Sequence, residues 1–177
     1  NMGLNKKTKI YLGFLAIIAS VLYLYIATNF SMPDLRMLFF WIALSITVES
    51  LLIPLPNNIV GVSVGYAVNI ASIIVGGPLL ATSASAIGVL LRAPKISGRG
   101  YVHLFNLPTY KSVFNVSQSI IVTSLMSFCY LALGGIVGAF SLLPTFFILV
   151  IGVVFNTSII SGFLTVSGDN KFTTTWL

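Results

Sequence analysis

Five polar side chains lie inside strongly apolar stretches of the sequence: Glu49, Asn69, Asn115, Gln118 and Asn156. Hydrocarbon offers no hydrogen bonds, so a carboxylate or an amide in such a setting needs a partner or a ligand. Amides carry both donors and acceptors, and these groups can recognise a small solute. We therefore predict that the five side chains form the ligand-binding set.

Glu49 is the only acidic residue within a predicted membrane span, and it lies just before Pro54. An ionised group in a bilayer is costly unless it is paired, reaches the interface or faces a cavity. Two interpretations stay open. Glu49 either contacts a ligand, an ion or a loop base such as Arg92, or it is a carboxylate at a helix end that reaches the lipid headgroups.

Asn115 and Gln118 are three residues apart and share one face of a predicted helix. They and the other amides either line a small polar cavity or form hydrogen bonds between helices that hold the bundle together. A second face combines the small residues Ala81, Ser85 and Gly88. Small side chains let helix backbones approach closely in a membrane, so this face predicts helix packing.

The sequence does not supply the residues of a familiar catalytic or metal site. It has three acidic residues, one histidine and one cysteine, and these cannot form a Ser-His-Asp, Cys-His or paired-carboxylate set. His103 is predicted to be a loop residue, and Cys129 lies alone in an apolar stretch. We predict that the chain is not an enzyme and uses no metal or cofactor.

The composition indicates which elements must position these residues. The chain is 57% hydrophobic and 7% charged, whereas about a quarter of the residues in a soluble domain are charged. At about 20 residues per crossing, the sequence predicts an all-α polytopic membrane bundle of six transmembrane helices. The predicted spans are residues 10–30, 37–53, 62–75, 78–91, 110–133 and 140–166, with a tight turn at Gly76-Gly77-Pro78.

Basic residues predict the orientation, because positively charged short loops stay in the cytoplasm. They cluster before the first span and after the fourth, at Lys6, Lys7, Lys9, Arg92, Lys95, Arg99 and Lys111. With six spans, both termini are then cytoplasmic. The predicted divisions are an N-terminal tail (1–9), the six-helix domain (10–168) and a linker toward an output domain (169–177). The lipid bilayer, not nucleic acid, is the expected partner of the basic residues.

Several short motifs follow one another in a recognisable order: Pro54-Leu55-Pro56, Gly77-Pro78, Phe114-Asn115-Val116-Ser117-Gln118 and Phe155-Asn156-Thr157. Over nearly the whole chain, this order resembles the N-terminal multi-span domain of bacterial signalling proteins with a cytoplasmic HD-GYP or GGDEF output domain. It is similar, more distantly, to the S-components of energy-coupling-factor vitamin transporters. The resemblance implies a sensory domain in the bacterial cytoplasmic (inner) membrane that controls a cyclic-dinucleotide enzyme, such as a cyclic-di-GMP phosphodiesterase.

Three functions are therefore considered. The leading prediction is a membrane-embedded input domain that binds a small apolar or amphipathic ligand and passes a signal to a cytoplasmic output domain. The alternative is an S-component-like subunit that captures a vitamin or another small solute for transport. A structural anchor or dimerisation domain is the third, and the sequence leaves a homodimer open.

Overall fold

The computed structural model describes residues 4–51, 53–54, 61–62, 65–96 and 100–168. These residues form five helices: α1 Lys6–Asn29, α2 Leu35–Ser50, α3 Gly65–Leu91, α4 Thr109–Ala132 and α5 Leu142–Ser167. Two short antiparallel strand pairs connect them, β1 Ile53–Pro54 with β2 Gly61–Val62 and β3 Lys95–Ile96 with β4 Gly100–Tyr101. The predicted all-α architecture is confirmed, and the strand pairs are an addition to it.

Four of these helices, α1, α3, α4 and α5, are long and apolar enough to cross a membrane. The chain is therefore a helical membrane protein, as the composition predicts. The predicted first, fifth and sixth spans correspond to α1, α4 and α5 within a few residues, although α1 begins inside the predicted tail at Lys6. The predicted second span was too long, because α2 ends at Ser50 after 16 residues. The predicted linker 169–177 and Arg99 lie outside the described residues.

Local side-chain bonds explain where several helices begin and end. The Asn5 carboxamide oxygen accepts from the Thr8 amide at 2.7 Å, and the Asp34 carboxylate accepts from the Arg36 amide at 3.0 Å. Both bonds satisfy an amide that a helix start leaves without an intrahelical partner. α5 ends at Gly168, which has a φ of 96° that an L side chain rarely adopts.

The predicted third and fourth spans correspond to two helical arms of α3 that are joined at Gly77, and α3 as a whole counts as one of the four helices long enough to cross a membrane, so six spans are not shown. Gly77 interrupts α3 with φ 76° and ψ −174°, and Pro78 begins the second arm. Along the first arm, the Tyr66 hydroxyl donates to the Gly152 carbonyl of α5, and the Ile74 carbonyl accepts from the Gly138 amide just before α5. Residue numbers rise in one element as they fall in the other, so this arm is antiparallel to α5.

The second arm of α3 runs the other way. Its Ser85 hydroxyl lies 2.5 Å from that of Ser119, and its last residues share a cavity with the first turns of α4. The second arm is therefore antiparallel to α4. Because α4 and α5 are themselves antiparallel, with Phe114 stacked on Phe163, the two arms of α3 point in opposite directions. Gly77 reverses the chain, as the Gly-Gly-Pro sequence predicts.

One end of the bundle gathers the start of α1, the end of α5 and most of the described basic residues. The Asn5 side-chain Nδ2 donates to the Val166 backbone carbonyl at 2.9 Å, which places the start of α1 beside the end of α5. α4 begins at this end, and α2 and α3 finish there. We call it the basic end, because it carries Lys6, Lys7, Lys9, Arg92, Lys95 and Lys111.

The small residues of α3 pack as predicted. Ala81 and Ser85 are buried, and Gly88 is pressed against Ser45 of α2. A Cβ built on Gly88 would lie 2.0 Å from the Ser45 hydroxyl oxygen, 2.6 Å from its Cβ and 3.1 Å from its backbone carbon. Rotation of the serine side chain cannot relieve the last two contacts, so α2 and α3 approach this closely only with glycine at position 88.

Gly88→Ala is expected to lower the free energy of unfolding by about 1 to 3 kcal/mol, because the added methyl group forces α2 and α3 apart. Thermal unfolding of the purified protein in detergent measures the change. Gly13→Ala is the matched control, since nothing lies within 4 Å of the Cβ position at Gly13. An equal effect of the two substitutions would contradict the close helix contact.

Candidate functional site

An ion pair ties the ends of α2 and α3 together. The Arg92 Nη1 donates to the Glu49 Oε2 at 3.1 Å, and the two side chains are 24% and 10% exposed. Next to it, the Ser50 hydroxyl oxygen accepts from the Ala93 amide at 3.0 Å. Of the two interpretations open for Glu49, the structure shows the one in which Arg92 is its partner. It is the one ion pair found among the described residues.

Beside this ion pair, a cavity of about 130 Å³ lies under the loop that joins α3 to α4. Its apolar wall consists of Val89, Leu90, Pro94, Val102, Leu104 and Leu107. Its polar wall consists of Arg92, His103, Ser112 and Asn115. Three separate parts of the chain build it: the end of α3, the connecting loop and the first turns of α4.

Hydrogen bonds hold the loop over this cavity. The Asn106 side chain accepts from the His103 amide at 2.8 Å and donates to the Tyr101 carbonyl at 2.8 Å. The His103 Nδ1 accepts from the Phe105 amide at 3.3 Å. In the neutral imidazole, a nitrogen that accepts carries no proton, so the proton is on Nε2 and this atom is a donor. His103 lies in the loop as predicted. It also lines the cavity, which the sequence did not predict because His103 has no second histidine or acidic cluster near it.

The predicted pair on α4 is divided between two roles. Asn115 is partly buried and lines the cavity. Gln118 is buried and does not reach the cavity, because its Nε2 donates to the Asn156 Oδ1 of α5. The cavity interpretation therefore fits Asn115, and the interhelical interpretation fits Gln118 and Asn156. Asn69 lies apart from them on the first arm of α3 and is partly buried; its backbone carbonyl accepts from the Ser72 hydroxyl.

Asn115 is also the first residue of a polar stripe along α4 that the sequence analysis did not single out. The stripe consists of Asn115, Ser119, Thr123 and Ser127, which are four residues apart and so share one helix face. Ser85 of α3 contacts its middle, 2.5 Å from the Ser119 oxygen and 3.2 Å from that of Thr123. The regular spacing was visible in the sequence and would have predicted a polar contact between two helices.

A second, larger space of about 630 Å³ opens between the first arm of α3 and α5. Its lining is almost wholly apolar, with Tyr66, Ala67, Ile70, Ala71, Ile74, Phe140, Thr145 and Leu149. The two hydroxyls among them are occupied, since Tyr66 donates to the Gly152 carbonyl and Thr145 to the Ser141 carbonyl. This groove offers no polar selectivity, so the cavity at the basic end is the better candidate for specific binding.

The described residues hold no cluster of three or more histidine, cysteine, aspartate or glutamate side chains that could bind a metal ion. Comparison of the chain with models of protein families, with curated protein sequences and with solved structures finds no match.

Replacing either partner of the Gln118–Asn156 pair is expected to destabilise the protein. Gln118→Leu leaves the Asn156 amide without its partner inside the bundle, and Asn156→Leu leaves the Gln118 amide without its partner. Each single change is expected to lower the free energy of unfolding by about 1 to 3 kcal/mol. The double variant Gln118→Leu/Asn156→Leu removes both polar groups and is expected to lose less than the sum of the two single changes. Unfolding in detergent measures the cycle, and full additivity would argue against the contact.

Proposed function

We propose that this chain is a membrane-embedded input domain that binds a small amphipathic ligand in the cavity at the basic end. The composition of the cavity wall carries this proposal. Side chains with hydrogen-bond donors form one part, and apolar side chains of α3 and the loop form the rest. A ligand with a polar end and an apolar body fits such a wall better than a wholly polar or wholly apolar solute does.

The proposed topology has six crossings, with α2 and the two arms of α3 contributing three of them. The opposite directions of the two arms support this, because each arm moves the chain from one end of the bundle to the other. α2 and the arms are short for a bilayer core of about 30 Å. Non-helical backbone at their ends is tolerated at membrane depth where the protein covers it. The basic end is proposed to face the bacterial cytoplasm.

A ligand in the cavity is proposed to act on α5. Asn115 contacts the cavity, and Gln118 on the next turn of α4 bonds to Asn156 of α5. The far end of α5 is bonded at Val166 to Asn5. A shift of α4 around the ligand would therefore reach both terminal segments, from which an output domain would be driven. The ligand can do this only if it binds one helix arrangement better than another.

Cysteine labelling tests the topology. In a Cys129→Ser background, Ala139→Cys lies between α4 and α5, and Phe105→Cys lies in the loop at the basic end, 92% exposed. A membrane-impermeant maleimide added to intact cells is expected to label Ala139→Cys and to reach Phe105→Cys only after the membrane is disrupted. The opposite labelling pattern would reverse the proposed orientation, and labelling of both in intact cells would contradict the crossing of the membrane by α4.

A thermal-shift screen tests the binding site. Lipids, quinones, vitamins and amino acids are added to the purified protein, and at least one amphipathic class is expected to raise the Tm. A ligand at 100 times its Kd adds about 2.7 kcal/mol of stability. Asn115→Leu is expected to abolish the shift. Asn29→Leu, an exposed amide at the opposite end of α1, is the control and is expected to keep it. A screen in which no class raises the Tm would refute the proposal.

The same ligand is then used to test signal transmission. Spin labels at Lys7→Cys and Ser167→Cys, again in the Cys129→Ser background, report the distance between the start of α1 and the end of α5. We expect ligand addition to change this distance and Gln118→Leu to suppress the change. Binding without any change in distance would contradict the input role and leave a solute-binding subunit as the better description.

A further inference from the structure

The polar wall of the cavity presents several hydrogen-bond donors. Glu49 accepts from one of the five N–H donors of Arg92, and no other described residue accepts from this guanidinium. The His103 Nε2 carries a proton, and the Asn115 side chain makes no hydrogen bond to another described residue. The Ser112 hydroxyl completes the wall. Ser112 and Asn115 can also accept hydrogen bonds, but Arg92 and the His103 Nε2 only donate and no acidic side chain is among the lining residues, so a ligand that accepts hydrogen bonds fits this wall.

The surroundings add positive potential. Lys95 and Lys111 are exposed on the strand and the helix that flank the loop, and with Arg92 they outnumber the single carboxylate of Glu49. α4 begins next to the cavity without a side-chain cap. No acidic side chain in its first turn offsets the positive end of the helix dipole. Charge and dipole both favour an anion in this cavity.

We propose that the cavity binds the phosphate group of a phospholipid or of another phosphate ester, a conclusion that rests on the binding function proposed above. At about 130 Å³ the cavity is smaller than the 300–1,000 Å³ of common ligand sites, so it takes one polar group and leaves the remainder outside. The apolar residues Val89, Leu104 and Leu107 lie beside the entering group. They suit the glycerol and acyl parts of a lipid at the membrane surface.

A phosphate matches this wall better than a carboxylate does. Four different side chains donate from three parts of the chain, and an anionic phosphate ester offers several acceptor oxygens in a three-dimensional arrangement. A carboxylate is planar, and the fork of one arginine can satisfy it. One N–H group of the Arg92 guanidinium, on Nη1, already donates to Glu49. The remaining donors are therefore better used by a group that accepts from several directions.

Binding measurements on the purified chain in detergent test this inference with four probes. These are phosphatidylglycerol, diacylglycerol with the same acyl chains, a fatty acid of the same length, and inorganic phosphate. Phosphatidylglycerol is expected to raise the Tm, and diacylglycerol is not. Arg92→Lys, which keeps the charge but loses the fork, and Asn115→Leu are each expected to raise the Kd about tenfold. Asn29→Leu is the control and is expected to leave it unchanged.

The probes distinguish the sources of the phosphate. Binding of phosphatidylglycerol alone supports a lipid headgroup, and binding of inorganic phosphate as well supports a soluble phosphate ester. If Asn115→Leu does not fold, Ser112→Ala replaces it, because Ser112 donates from the same wall. Binding of the fatty acid alone, with loss in Asn115→Leu, would overturn the phosphate assignment and keep the proposed function. Absence of binding to all four probes and to the wider screen would overturn both.

Discussion

A bilayer supplies no hydrogen-bond partner, and the placement of polar groups in this protein depends on that constraint. Many hydroxyls within the helices, such as those of Thr47 and Ser127, donate to the carbonyl four residues earlier in their own helix. Others bond between helices, as Tyr23 does with Ser83. Many polar side chains in these helices are thus satisfied within their helix or bonded to a neighbour, the buried hydroxyls of Thr82, Ser124 and Ser161 have no partner among the described residues, and a few polar side chains are directed to a cavity. Asn115 belongs to the last group, which makes the cavity at the basic end the natural place for a ligand.

The two ends of the bundle differ in the length and the polarity of their connections. At the end opposite the basic one, glycine-containing turns close the chain tightly, and the Tyr130 hydroxyl donates to the Ala139 carbonyl at 2.7 Å. Gly77 there has Val137 only 3.3 Å from where a Cβ would lie. The basic end instead has a longer loop, an ion pair and exposed lysines. Among the described residues, the cavity at this end combines space with hydrogen-bond donors.

The sequence predicted the elements better than it predicted the site. Apolar runs were enough to locate α1, α4 and α5, because a helix that crosses a membrane requires mainly about 20 consecutive apolar residues. The reversal at Gly77 followed from the turn preference of the Gly-Gly-Pro sequence. The end of α2 was missed, because apolar residues continue past Ser50 into a strand. Spacing on α4 placed Asn115 and Gln118 together, yet their partners come from distant parts of the chain. Asn156 is 38 residues from Gln118, and no local pattern encodes that contact.

The cavity lies where two differently bonded parts of the bundle meet. α2 and α3 are joined by the tight contact at Gly88 and by the Arg92–Glu49 pair. α4 and α5 are joined by Gln118 and Asn156. Between the second arm of α3 and α4, Ser85 bonds to the hydroxyls of Ser119 and Thr123. A ligand held by Arg92 on one side and Asn115 on the other would span the boundary between the second arm of α3 and α4. Its binding energy would therefore act directly on the relative position of the two parts.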